Sequence, residues 1–582
     1  MLNKILNVFK NYFVFFFFLI LLFASNYYLF NNKFFLVHDY THAARIAEMG
    51  RSLKEGAFPV RWSENFGFGF GMPLFNFYAP LPYFVGALFW LMGTNVVVSI
   101  KILYFLSSLI SLLGAFKLGK KLFGNWGGLL LGAAYLLAPY RAVNLFVRGA
   151  LSEAWAMAFL PWVLFAVFSW IDTKKDKFLL TLISSLVAII LSHNLTALMF
   201  IPLSGLIAFL YLLQKERWNL KISLKKILPL LFYYILAALL TAFYMLPAFM
   251  EKGSTQIEKI FSGYFHYSHH FLYIRQFFKD NWQYGGSAWG PDDGISFFLG
   301  YGQLLAMAFL AIFFLLYLFK NFKKIKSDRK IFLTVLFGVT LVILLLMSLL
   351  KTKFIWDKIS LLQYIQFPWR FLAPASLILA ILVAISPTFI KKRTIRITYS
   401  FLLMLFLLSN ARFFKGQSYL DNADALYYDD AERIQNEMSG ILPDYIPIQM
   451  IEEKKLKELN LSQDFIWEEN IKDPKIKGWN LIADRGHEKL VSINVNQDTL
   501  INLKLANFPG WIAQIDNNPV DVLENPEIGN IQILVPEGEH KLTVQFSEKT
   551  PARLIGNSLS ILGLFTLLYI FSPFKEKKRK NS

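Results

Sequence analysis

His38 and Asp39 follow directly on the first long apolar run of the chain, and His42, Arg45, Glu48 and Arg51 come after them at helical spacing. A carboxylate at a membrane–water boundary can take the proton of an attacking hydroxyl or help hold a divalent cation. Asp39 is also placed to cap the helix that follows, because an Asp side chain accepts from the free N–H groups of a first turn. On residue type alone, capping is the simpler reading. Arg148 and Glu153 form a second pair, which reads either as a local ion pair or as a phosphate-holding guanidinium with a carboxylate beside it. His193 and Asn194 divide a long apolar stretch between two basic loops, so a turn must fall there. Polar groups at such positions are costly and need a role or a partner. Arg370 follows Pro368 and Trp369. Its planar fork suits a phosphate, and beside a tryptophan it also suits an interfacial anchor. His266 and His270 stand at a spacing that would bring both rings to one metal if their segment were helical.

The elements that carry these residues follow from hydropathy. Of 582 residues, 55% are hydrophobic and 17% charged, and the net charge is +19. The apolar residues gather in runs that approach the roughly 20 residues needed to cross a hydrocarbon core. Lys and Arg gather in short loops between those runs, which marks them as topology signals rather than as a nucleic-acid-binding face. With no cysteine in the chain, disulfides and thiolate metal sites are excluded. Placing every basic loop on the cytoplasmic side requires an even number of crossings between neighbouring loops. About twelve spans satisfy this, with both termini inside and the first run kept as an uncleaved span. The apolar segment Pro80–Met92 is too short to cross and is expected to lie on or dip into the outer surface.

This topology predicts an all-α polytopic bundle over residues 1–412, with outer loops at 31–94, 251–295 and 351–370. An extracytoplasmic domain over 413–552 follows, then a final span and basic tail over 553–582. Within the extracytoplasmic domain, Asp421–Glu458 is polar and compatible with helix, interrupted by Pro443 and Pro447. Residues 490–495, 500–506, 511–515, 531–535 and 540–546 alternate as strands, with turn residues at Asp516-Asn517 and Pro536-Glu537-Gly538. A small β-sandwich over about 489–547 is the expected result.

The run from His38-Asp39 through Phe58-Pro59-Val60-Arg61-Trp62 and Pro73-Leu74-Phe75-Asn76-Phe77-Tyr78 to Pro80-Leu81-Pro82-Tyr83 carries a family resemblance. So do Arg148-Gly149-Ala150, Ser192-His193-Asn194, Gln366-Phe367-Pro368-Trp369-Arg370 and Pro509-Gly510-Trp511. Together they resemble the bacterial membrane family labelled 6-pyruvoyl-tetrahydropterin synthase-related. That family is similar in layout to YfhO-type proteins and to the C-type glycosyltransferases. The resemblance implies a C-type bundle in which an acidic residue just past the first helix is catalytic, a position that Asp39 occupies. It further implies Glu153 as a second carboxylate, with His38, His42, Arg45, Arg148, His193, Asn194 and Arg370 lining a substrate site. The zinc site of a soluble pterin synthase has no counterpart in the sequence.

The function so implied is transfer of a sugar from a polyprenyl-phosphate donor to a glycan, lipid or protein acceptor outside a bacterial cell membrane. A divalent cation is the cofactor the residues leave room for, with Asp39, His266 and His270 as its candidate donors. The alternative is a non-catalytic or flippase-type protein that handles lipid-linked glycans. A flippase needs a polar path through the bilayer, whereas the spans here are almost wholly apolar and the ionisable residues collect towards one face.

Overall fold

The computed structural model describes residues 2–324, 327–420, 428–441, 443–450 and 473–572, the side chains of 2–11, 324, 441 and 443 excepted. Among the described residues, ten helices are long and apolar enough to cross a membrane. Two differences separate this from the expected twelve. In one, the expected pair over 95–141 is present as two helices that meet at Gly124, whose φ of 79° breaks the helix; they are counted once in the ten as α4 (Val96–Leu136). The other is a helix of only 14 residues, Lys177–Ile190.

Further helices are α1 (Leu2–Asn26), α2 (Thr41–Lys54), α3 (Leu81–Leu91), α5 (Leu151–Thr173), α6 (Lys177–Ile190), α7 (Asn194–Lys215) and α8 (Leu220–Leu240). They continue with α9 (Ala242–Met250), α10 (Tyr301–Lys320), α11 (Arg329–Met347), α12 (Leu372–Ile385), α13 (Arg393–Leu408) and α14 (Pro551–Ile570). The apolar segment expected to be too short to cross is α3.

Compactness divides the chain into two units that are not consecutive in sequence. The first comprises residues 1–40, 101–238 and 261–422, and the second 41–100, 239–260 and 423–582. In the first unit α12 is the central helix. All of its residues but Ser376 are buried, and α5, α7, α10 and α11 pack around it. Helices α10 and α13 turn large apolar side chains such as Phe319 and Phe401 outward, as lipid-facing helices do, because a bilayer places no penalty on exposed hydrocarbon. The two halves of α4 fold against each other through glycines. A Cβ on Gly119 would lie 2.4 Å from the carbonyl oxygen of Gly127.

In the second unit the β domain forms two antiparallel sheets. The strands are β1 (Ile476–Arg485), β2 (Glu488–Val495), β3 (Thr499–Ala506), β4 (Trp511–Ile515), β5 (Asn518–Val520), β6 (Leu523–Glu524), β7 (Asn530–Val535) and β8 (Gly538–Phe546). One sheet has the order β1-β2-β8-β4-β5 and the other β3-β7-β6. All five expected strands are present. The turn at Asp516 and Asn517, both at positive φ, joins β4 to β5 in register Ile515 to Asn518, as a two-residue hairpin requires. Strand β1 escapes sequence reading because it is an edge strand that buries neither face fully. The expected polar helical stretch lies largely outside the described residues. What is described there is a set of short turns such as Ala431–Arg433 and Ile434–Met438.

The β domain is held to the first loop and to α14 by aromatic and ionic contacts. Trp62 packs edge-on against Trp511 at 5.1 Å and tilted against Phe546 at 5.0 Å. Arg61 donates to Glu548 at 2.5 Å and to Asn76 at 3.2 Å. Glu251 accepts from Asn76, Thr550 and Arg553 at 2.9, 2.6 and 3.1 Å. Gly510 in the Pro509-Gly510-Trp511 motif makes room for this network, since a Cβ there would sit 2.2 Å from a guanidinium nitrogen of Arg553.

Candidate functional site

The segment Pro139–Arg148 begins as one helical turn, Pro139–Ala142, and widens into a π turn, Val143–Val147. Such bulges recur at functional sites because they re-aim side chains. Here the segment brings Tyr140, Asn144 and Arg148 to one carboxylate. Tyr140 donates to Glu153 Oε1 at 2.6 Å, and Asn144 donates to the same oxygen at 3.2 Å. Arg148 donates to Glu153 Oε2 at 2.7 Å and to Asn144 Oδ1 at 2.5 Å. Glu153 is 1% exposed.

A second guanidinium reaches the same carboxylate, with Arg370 Nε 4.0 Å from Glu153 Oε2. Arg370 is steadied by donating to the carbonyl of Ile365 at 2.7 Å and to Gln366 Oε1 at 3.1 Å. Trp369 lies under Arg148, 4.5 Å from guanidinium to ring centre. His193 is the N-cap of α7, where it accepts from the backbone of Thr196, so the expected turn is real and the histidine satisfies it. His193 also lies within electrostatic reach of Glu153. Glu153 is in the first turn of α5, His193 and Asn194 open α7, and Arg370 lies in the 3-10 turn Pro368–Phe371 that leads into α12. Helix N-termini carry partial positive charge. The cluster therefore sets two arginines, one histidine and three helix starts against a single bonded carboxylate.

Asp39 joins the rim of this cluster through the backbone. His38 N–H donates to the carbonyl of Val147 at 3.1 Å, and Asp39 N–H to that of Arg148 at 2.9 Å. Gly149, at a φ of 70°, permits this approach, because a Cβ there would meet Val37 at 2.8 Å. The Asp39 side chain is partly exposed and within electrostatic reach of Arg148. His38 Nε2 donates to the carbonyl of Tyr284 at 2.8 Å.

Next to the cluster lies an open cavity of about 560 Å³ lined by Tyr264, His269, His270, Ser287, Ala288 and Trp289. Ser287 Oγ ties it to the arginines by accepting from Trp369 Nε1 at 3.2 Å. His270 lies 3.0 Å from that hydroxyl through Nδ1 and donates through Nε2 to the carbonyl of Tyr264 at 2.6 Å. Burial pushes the His270 imidazole down to about 4, so it is neutral at pH 7.

The remaining expected site residues fall elsewhere. His42 and Arg45 are fully buried in the second unit. There Tyr83 bonds His42 Nδ1 at 2.6 Å, and Arg45 lies over Tyr78 at 4.4 Å. The expected His266–His270 metal pair is not built. Their segment is a 3-10 turn, Tyr267–His269, which does not align the two rings as an α-helix would. His266 Nδ1 faces Ser268 at 2.7 Å, and both nitrogens of His270 are engaged. Among the described residues no three His, Asp or Glu side chains are grouped to hold a metal ion. Sequence reading missed Tyr140, Asn144 and Ser287. The first two could have been found from the four-residue steps Tyr140, Asn144, Arg148 in an otherwise apolar stretch.

Ten apolar helices among the described residues, with an antiparallel β domain, define a polytopic helical membrane protein. The family model described as "6-pyruvoyl-tetrahydropterin synthase related domain; membrane protein" matches residues 75–413, more than half of the chain, and the protein belongs to that family. The match takes in Tyr140, Arg148, Glu153, His193, the cavity and Arg370, and it begins after Asp39. No curated protein and no solved structure matches the chain.

Proposed function

We propose that the protein transfers a sugar from a polyprenyl-phosphate donor to an acceptor hydroxyl on the outer side of the membrane. The observation that carries this reading is the pair of guanidiniums, Arg148 and Arg370, that share one buried carboxylate where three helices begin. Arginine forks and helix N-termini both favour a phosphate oxygen. The acceptor oxygen attacks the anomeric carbon as the bond to the phosphate oxygen breaks, and the electron pair leaves with the phosphate. Arg148 and Arg370 stabilise the charge that grows there. Asp39 takes the acceptor's proton, and His38, which is bonded to Tyr284, holds the approach beside it. Glu153, Tyr140 and Asn144 fix the guanidiniums in place. His193 and Asn194 line the donor side.

The test is reconstitution in vesicles with a panel of radiolabelled polyprenyl-phosphate sugars. Removal of a general base lowers rates about 10²–10⁴-fold, and Asp39→Asn should show a loss in that range. Equal transfer by Asp39→Asn removes Asp39 from the mechanism. Absence of transfer with every donor overturns the transferase reading in favour of a non-catalytic or flippase role.

A further inference from the structure

We propose that the cavity bounded by Tyr264, His270, Ser287 and Trp289 is the subsite for the transferred sugar, and that it takes an uncharged pyranosyl group. This inference rests on the transferase reading and names its substrate class.

Two aromatic rings stand open at the cavity, Trp289 at 64% exposure and Tyr264 at 54%. His269 meets the Trp289 ring edge-on, with centroids 5.7 Å apart and planes at 74°. That contact holds the indole as a platform, and the axial C–H face of a pyranose is apolar enough to stack on such a ring. His269 Nδ1 donates to the carbonyl of Gly263 at 3.1 Å. In the neutral tautomer this leaves Nε2 as an acceptor for a sugar hydroxyl.

The lining contains no Asp, Glu, Lys or Arg. Asp293 stands behind Ser287, and both of its oxygens are engaged. Its Oδ1 accepts from Ser287 Oγ at 3.1 Å and from the Ala288 N–H at 2.7 Å, and its Oδ2 accepts from Gln276 at 2.6 Å. His270 Nε2 donates to the carbonyl of Tyr264, and its Nδ1 lies 3.0 Å from the Ser287 hydroxyl. Apart from His269 Nε2, these polar groups of the wall are committed to one another, and a charged sugar substituent would lose water there with no opposite charge in the lining to meet it. The cavity also sits where a donor needs it. Tyr264 lies within electrostatic reach of Arg148, and His270 within reach of Arg370. Ser287 belongs at once to the cavity wall and, through Trp369, to the platform under Arg148. A phosphate on the arginines would therefore deliver its sugar into the aromatic cavity.

The test uses the full-length protein in detergent, titrated with methyl glucoside, methyl mannoside, methyl glucuronide and methyl glucosaminide, with binding read by saturation-transfer NMR. Neutral glycosides should bind, Trp289→Ala should weaken them about tenfold, and Trp289→Phe should keep most of the affinity, as ring stacking requires. The glucuronide and the glucosaminide should bind more weakly than the neutral pair. Trp289 is mostly exposed, so neither variant disturbs packing. Neutral binding unaffected by Trp289→Ala, or a charged glycoside that binds as tightly as a neutral one, overturns the subsite. Glycoside binding does not depend on turnover. Trp289-dependent binding without transfer from any donor therefore overturns the transferase reading alone, and transfer without such binding overturns the subsite alone.

Discussion

Glu153 accepts from Tyr140, Asn144 and Arg148 and stands 4.0 Å from Arg370, all at a position 1% exposed. Each guanidinium gave up most of its water to reach this place, and the carboxylate offsets that cost. The substitution Glu153→Gln keeps the shape and removes the charge. Breaking a buried ion pair from one side costs about 3–5 kcal/mol, so the variant should melt at lower temperature in detergent. Inorganic phosphate should restore more stability to Glu153→Gln than it adds to the parent, because it replaces the missing negative charge. An unchanged melting temperature, or phosphate acting equally on both proteins, would count against the cluster as an anion site. The Arg148–Glu153 pair was legible in the sequence because its partners are five residues apart. Arg370 was legible as a phosphate candidate, but its convergence on the same carboxylate was not.

At the scale of elements, α4 shows how small residues set helix contacts. Gly119 and Gly127 let the two halves approach until a Cβ on Gly119 would lie 2.4 Å from a backbone oxygen. Backbone cannot yield as a side chain can, and overpacking of this kind costs about 1–3 kcal/mol. Gly119→Ala should lower thermal stability by that amount. In contrast, Gly205 in α7 has nothing within 4 Å of a Cβ, and Gly205→Ala should be neutral or stabilise by up to about 1 kcal/mol through helix propensity. Circular-dichroism melts of the two variants check both. If the two shift alike, the close approach in α4 is not supporting the hairpin.

At the scale of the molecule, the two compact units draw on three separated stretches of chain each. The second unit joins the first loop, α9, the β domain and α14 through Glu251, Arg553, Arg61 and Glu548. This grouping has a consequence for topology, because the loop and the domain it packs with must share one side of the membrane. The cysteine-free chain makes sidedness directly measurable. Lys279 and Lys175 are both exposed in loops, and the proposed topology puts them on opposite sides. In intact cells a membrane-impermeant maleimide should label Lys279→Cys, and it should label Lys175→Cys only after permeabilisation. The reverse pattern would place the arginine cluster on the cytoplasmic side and remove the outer-face reaction.

The sequence by itself determined what depends on neighbours along the chain. Long apolar runs marked helices, and alternation marked β2, β3, β4, β7 and β8. Turn residues such as Asp516 and Asn517 marked a hairpin. These patterns are local because hydropathy and backbone preference act within a few residues. Only the tertiary structure decided what depends on direction and packing. The π turn at Val143–Val147 aims Tyr140 and Asn144 at Glu153. The packing of α5, α7 and α12 brings three helix starts to one place. The side chain of Trp369 joins the cavity to the arginines. His42 and Arg45, although spaced as well as any of the others, became core residues of the second unit, because a side chain's partners are chosen by the fold around it and not by its place in the chain.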